Sequence, residues 1–292
     1  MSRRKKWIVL ALILSFVALR PTLRNTWHNK VADRPLHVLR VGAGPPVVLL
    51  HGLTGSHEYF APLTTSLSRH YTVTAPDLLG FGASPWPDSG YTVDDHLRAL
   101  MPVLPKEPFV LVGHSMGSLL ALELARRYPQ RVAALVLLAP PSIANRAAMK
   151  AMLGSHAGLG TVMELDSFWA PLACHMHETF GSLAAILMRP FVDSKLPFAV
   201  VRSATEHRWA SYQGSLEGVV FKVRPLEIIP ELRVPLTVLA GFEDVYSQNE
   251  TLRKVFPATV VMAGGHNFFW EQPQLVIARI EQALAATYAH QP

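Results

Sequence analysis

Ser115 stands at the centre of Gly113-His114-Ser115-Met116-Gly117, a G-x-S-x-G turn preceded by the apolar run 109–112 and followed by a Leu- and Ala-rich stretch. A strand feeding such a turn and a helix leaving it make a nucleophile elbow, which holds the central hydroxyl exposed in strained backbone angles. Gly113 and Gly117 have no Cβ to meet the neighbouring strand and helix. The same turn sets the Met116 N–H at a helix N-terminus, aimed where a negative oxygen would form. A serine hydroxyl is a weak nucleophile at neutral pH, so it needs a histidine base and a carboxylate to hold that base. Gly241-Phe242-Glu243-Asp244 leaves the apolar run 235–240, and Gly264-Gly265-His266-Asn267 leaves the run 258–262. Asp244 and His266 therefore fall at the carboxyl ends of two strands, in the chain order Ser115, Asp244, His266. Glu243 is adjacent and remains open as the orienting acid. A second oxyanion donor should come from the turn after 47–50, and the Leu53 N–H, just past His51-Gly52, is the natural one.

Those side chains need a sheet to carry them. Residues 36–41 alternate as an outer strand would, whereas 47–50 are continuously apolar, as in a strand covered on both faces. Further strand patterns fall at 71–75, 109–112, 132–138, 235–240 and 258–262, with helical stretches near 60–69, 91–104 and 273–287. Thr92 with Asp95 reads as a capping box for the second of these helices. Strands alternating with helices mean an α/β fold: a mostly parallel central sheet flanked by helices. The rhythm breaks at Pro140-Pro141. From about 142 to 230 the chain is rich in Met, Phe and Trp and broken by Gly and Pro, without a buried-strand pattern. An insertion of that kind between two strands of one sheet reads as a helical cap. The expected organisation is an N-terminal segment 1–24, core 25–140, cap 141–232 and core 233–292.

Half of the 292 residues are hydrophobic and 16% are charged, which is ample for a buried core and excludes a disordered chain. The net charge of +6 owes much to Arg3, Arg4, Lys5 and Lys6, and no later basic stretch interleaves aromatics, so no nucleic-acid surface is expected. The single cysteine, Cys174, excludes a disulfide scaffold and a multi-cysteine metal site. His175 and His177 could be imagined on zinc, but i, i+2 spacing splays them on a helix, and no motif supplies further ligands. His51 is expected to brace its loop, His114 to pack beneath the elbow, and Asp77 to pin its loop through backbone hydrogen bonds.

The basic cluster is followed by thirteen residues without a charge, 7–19. With Arg20 snorkelling, this run reads as an uncleaved membrane anchor, which implies a transmembrane helix, a membrane partner and a membrane-anchored location. A secretory signal, giving a secreted or periplasmic protein after cleavage, is the alternative.

The motifs His51-Gly52-Leu53-Thr54-Gly55-Ser56, Pro76-Asp77-Leu78-Leu79-Gly80-Phe81-Gly82-Ala83-Ser84, G-H-S-M-G at 113–117, G-F-E-D at 241–244 and G-G-H at 264–266 resemble the α/β-hydrolase superfamily, in its cap-bearing lipase and esterase branch. The resemblance covers about half of the chain, 47–140 and 233–285. It implies the α/β-hydrolase fold of the cap-bearing branch, and cleavage of a carboxylic ester through an acyl-enzyme. Ser115 would be the nucleophile, His266 the acid and base, Asp244 its orienter, and the Leu53 and Met116 N–H groups the oxyanion hole. No cofactor or metal is implied. A C–C bond hydrolase and a cofactor-free perhydrolase would use the same triad. The first would want cationic residues facing the pocket, for which Arg189, Arg202 and Arg208 are candidates. A membrane-tethered binding protein without chemistry is the rival from another class. The cap's methionines and aromatics suit an apolar substrate, although any helical layer needs such residues to pack. Substrate, acyl length and oligomeric state are not encoded legibly.

Overall fold

The computed structural model describes residues 34–154, 196–247 and 249–288, with 171, 174, 175, 178 and 186 between them. Apolar runs become strands: β1 (Val38–Val41), β2 (Pro46–Leu50), β3 (Thr72–Pro76), β4 (Phe109–His114), β5 (Val132–Leu138), β6 (Leu236–Gly241) and β7 (Val260–Met262). They form one seven-stranded sheet in the order β1-β3-β2-β4-β5-β6-β7. β1 runs antiparallel to β3 at the edge, and every other pairing is parallel. The alternating pattern of 36–41 belongs to that edge. The continuous runs belong to the interior, where all six residues of β4 are buried.

Parallel neighbours require crossovers, and helices supply them. The described α-helices are α1 (Ala61–Leu67), α2 (Val93–Leu100), α3 (Met116–Arg127), α4 (Arg146–Gly154), α5 (Phe198–Ser203), α6 (Trp209–Ser215), α7 (Pro225–Ile228), α8 (Asn249–Val255) and, after the last strand, α9 (Phe268–Glu271) and α10 (Pro273–Tyr288). α2 starts with the expected capping box, Thr92 with Asp95. Side chains alternate across the sheet, so each face has its own core. Val48, Leu50, Leu111, Leu135 and Leu137 pack with Leu97 of α2 and Leu119 and Leu124 of α3. Val47, Leu49, Val110, Val112 and Val136 pack with Leu63 of α1 and Val276 and Ile280 of α10.

The helical region α4–α7 is inserted between β5 and β6, and among its described residues there is no strand of the sheet. It is tied to the core at the 77–84 turn: Phe81 makes an isolated antiparallel bridge with His207, and the Gly82 N–H donates to the Glu206 carbonyl at 3.0 Å. A π-helical turn, Leu216–Val220, extends α6 against α3 and up to the N-cap of α2. A Cβ on Gly218 there would sit 2.6 Å from the Tyr91 carbonyl oxygen, so only glycine permits this approach.

The expected membrane anchor is corrected. Among the described residues no helix is long and apolar enough to cross a membrane. The run 7–19 lies outside the described residues, and as a helix its thirteen residues would reach only ~20 Å against a ~30 Å hydrocarbon core. Transmembrane helix, membrane partner and membrane-anchored location all leave the description with it.

Candidate active site

β4 ends in the elbow. Ser115 has φ 53° and ψ −123°, a backbone conformation L-residues rarely adopt, and α3 begins at the next residue. The turn is held by its neighbours. The Ser115 N–H donates to the Leu138 carbonyl of β5 at 3.0 Å. A Cβ on Gly113 would lie 2.4 Å from the Gly117 carbonyl oxygen, and one on Gly117 would lie 2.2 Å from that of Leu50. Both glycines are therefore required sterically.

The loops after β6 and β7 converge on this hydroxyl. Ser115 Oγ lies 2.8 Å from His266 Nε2, and His266 Nδ1 lies 3.0 Å from each Asp244 carboxylate oxygen. Ser115, His266 and Asp244 are thus brought into one hydrogen-bonded line. Asp244 is buried, which opposes its charge. Hydrogen bonds from His266, the Ser247 hydroxyl and the Tyr246 N–H outweigh burial and hold the carboxyl below the usual aspartate range. Glu243 is exposed, and its N–H donates to the Gly264 carbonyl at 3.0 Å. Asp244, and not Glu243, reaches His266.

The loop after β2 lies against the elbow. A Cβ on Gly52 would come within 2.9 Å of Ser115 Cβ, so the backbone approaches the nucleophile position as a donor loop must. Leu53 follows Gly52 here, and Met116 opens α3 beside Ser115. Among the described residues neither N–H is tied up in a turn or cap hydrogen bond. His51 braces this loop. Its Nε2 accepts the Leu78 N–H at 2.8 Å, which leaves Nδ1 protonated to donate to the Gly52 carbonyl at 2.8 Å. Burial lowers its pKa and keeps it neutral.

Asp77 is also a brace. It accepts the N–H groups of His57 at 2.7 Å and Ala83 at 2.9 Å. His114 packs under the elbow, against Tyr59, His266 and Phe269. Burial pushes its pKa down to about 3, so it carries no charge. Two contacts escaped the motifs: His114 Nε2–H donates to the His266 carbonyl at 3.0 Å, and the Tyr59 hydroxyl donates to Asn267 Oδ1. Nothing local in the sequence signals the second, which joins residues 208 positions apart.

Two of the three arginines weighed for a charged substrate are described. Arg202 pairs with Glu58 at 3.6 Å, and Arg208 pairs with Asp88 at 2.9 Å; Arg189 lies outside the described residues. Of the imagined zinc pair, His175 lies 4.0 Å from Glu178, and His177 lies outside the described residues.

A family model for the alpha/beta hydrolase fold matches residues 45–273. The chain belongs to that family. Lipase LipV of Mycobacterium tuberculosis is 42% identical over 110 residues, 36% of this chain and 41% of the lipase. The 2-(acetamidomethylene)succinate hydrolase of Mesorhizobium japonicum is 34% identical over 106 residues, 35% of this chain and 38% of that enzyme. The chain thus matches well under half the length of these curated relatives. A crystal structure of an E-2-(acetamidomethylene)succinate hydrolase superposes with a TM-score of 0.65 at 19% identity, over 85% of this chain and 94% of that one, which is a likeness of fold. The family match and the hydrogen-bonded line Ser115–His266–Asp244 together define an α/β-hydrolase-fold chain with a serine at its elbow.

Proposed function

We propose that Ser115 attacks the carbonyl carbon of a small substrate and carries the acyl group through the reaction. The observation that carries this reading is the line Ser115 Oγ–His266 Nε2–His266 Nδ1–Asp244, with spacings of 2.8 and 3.0 Å, at a residue with φ 53°. His266 takes the serine proton as Oγ bonds to carbon, then returns it to the leaving group as the scissile bond breaks. Asp244 keeps Nδ1 protonated and stabilises the imidazolium. The Leu53 and Met116 N–H groups receive the oxyanion. Water, deprotonated by His266, then releases the acid and regenerates Ser115. The proposed division is core 25–140 and 233–292, with a cap at 141–232. No step calls on a cofactor or metal.

The bond need not be an ester of an apolar acid. The relatives include both a lipase and a hydrolase of an acetamidomethylene-substituted diacid, and the latter name recurs among the structural neighbours. That recurrence favours the wider reading, in which the same triad cleaves a related bond, as a C–C hydrolase or a perhydrolase does. A fluorophosphonate probe tests the shared chemistry: stoichiometric labelling of Ser115 is expected, and an unlabelled Ser115 would refute it. Turnover of p-nitrophenyl esters, of a vinylogous keto-acid and of acetate with hydrogen peroxide then ranks the bond classes.

A further inference from the structure

We propose that His37, His57 and Asp77, none of them part of the Ser115–His266–Asp244 line, bind one divalent transition-metal ion of the zinc type. One ligand atom from each lies within 4.8 Å of the other two. They come from separate elements. His37 precedes β1, His57 opens the 3-10 turn after the 51–56 loop, and Asp77 follows β3. Their backbones are tied together independently of an ion. His37 donates its N–H to Ser84 Oγ at 2.9 Å, and its carbonyl accepts the Asp77 N–H at 2.9 Å. The Asp77 carboxylate is oriented by the N–H groups of Ala83 and His57, which is the outer-shell support that ligating carboxylates need.

The spacing suits an ion. His57 Nδ1 and Asp77 Oδ1 are 2.8 Å apart, and ligand atoms each ~2.1 Å from one tetrahedral ion lie ~3.4 Å apart, so the two need separate by only about half an ångström. The ion replaces the proton these two atoms share, and that proton passes to solvent. The rings of His37 and His57 lie 5.2 Å apart, and His37 is exposed, so the ion enters from solvent and keeps water in its remaining positions. Two imidazoles with one carboxylate favour zinc, cobalt, nickel or copper; calcium and magnesium prefer oxygen throughout. Bound there, the ion would join the edge strand and the 77–84 turn to the end of the loop that carries Leu53.

The test uses tag-free, chelator-treated full-length protein, titrated with zinc chloride by calorimetry and with cobalt chloride by visible absorption. One zinc per chain, a rise in Tm and a cobalt spectrum with nitrogen ligands are expected. His37→Ala, at an exposed position, should stay folded and lose affinity by about 10–100-fold or more. His70→Ala, at another exposed histidine, should bind as the wild type does. No zinc bound at millimolar concentration, or binding unchanged in His37→Ala, would overturn the proposal.

Discussion

His114 donates its Nε2–H to the main-chain oxygen of His266 across 3.0 Å, so the residue before the nucleophile holds the backbone of the proposed base. The next residue is held as well, because the Tyr59 hydroxyl donates to Asn267 Oδ1. One tie runs to the elbow strand and the other to the turn behind the Leu53 loop. The position of the His266 ring is thus set by the two elements it must serve.

Tyr59→Phe removes the second tie and keeps the ring packed on His114 and Phe269. One hydrogen bond is worth about 0.5–1.5 kcal/mol, so kcat should fall about 2–10-fold with KM unchanged. Steady-state kinetics beside a thermal melt checks this. A rise in KM alone would point to substrate contact rather than positioning.

Ser115→Ala should remove turnover by on the order of 10⁴-fold or more. The fold should survive, since the variant gives up only a hydroxyl whose hydrogen bond among the described residues is to His266 Nε2 at 2.8 Å. A variant that keeps even a tenth of wild-type activity would dismiss Ser115 as nucleophile.

Asp244→Asn should cost on the order of 10²–10⁴ in kcat, because the amide cannot stabilise the imidazolium or fix its tautomer. Glu243→Gln, at an exposed side chain, should cost less than about tenfold. The opposite ranking would move the acid by one position.

Stability should fall on the acid side for a definable reason. Burial depresses the His114 pKa to about 3 from its ordinary 6.5, so between those values the unfolded chain holds a proton that the native chain does not. Stability then rises with pH, and it is lost progressively as pH falls from about 6.5 towards about 3. His114→Gln keeps an N–H donor and removes the titration, so its urea midpoint should fall less steeply between pH 7 and 4, about three units. His51 and His96 are shifted in the same direction by burial, so part of the slope remains. Parallel curves for the two proteins would clear His114 of any part in acid sensitivity.

The sheet was legible because its interior strands are buried on both faces, and the pattern at 47–50 or 132–138 has no other reading in an alternating chain. Ser115, Asp244 and His266 were legible because each sits in a short motif at the end of a strand. The ties from Tyr59 and His114 were not, since they depend on which loops the fold brings together. The same holds for His37, His57 and Asp77, three residues without a shared motif that meet only because β1 pairs antiparallel with β3. The thirteen uncharged residues near the start misled for a plain reason: an apolar run signals burial, and burial has more than one destination.

The left-handed backbone at Ser115, φ 53°, has a consequence for evolution in the test tube. Glycine relaxes such a conformation, and strain of this sort costs on the order of 1–3 kcal/mol. Ser115→Gly should therefore melt at or above the wild-type temperature, and a lower melting point would show that the elbow is comfortable with serine. A selection for heat resistance without a selection for turnover would be expected to discard the nucleophile early, so any campaign to harden this enzyme must screen for both.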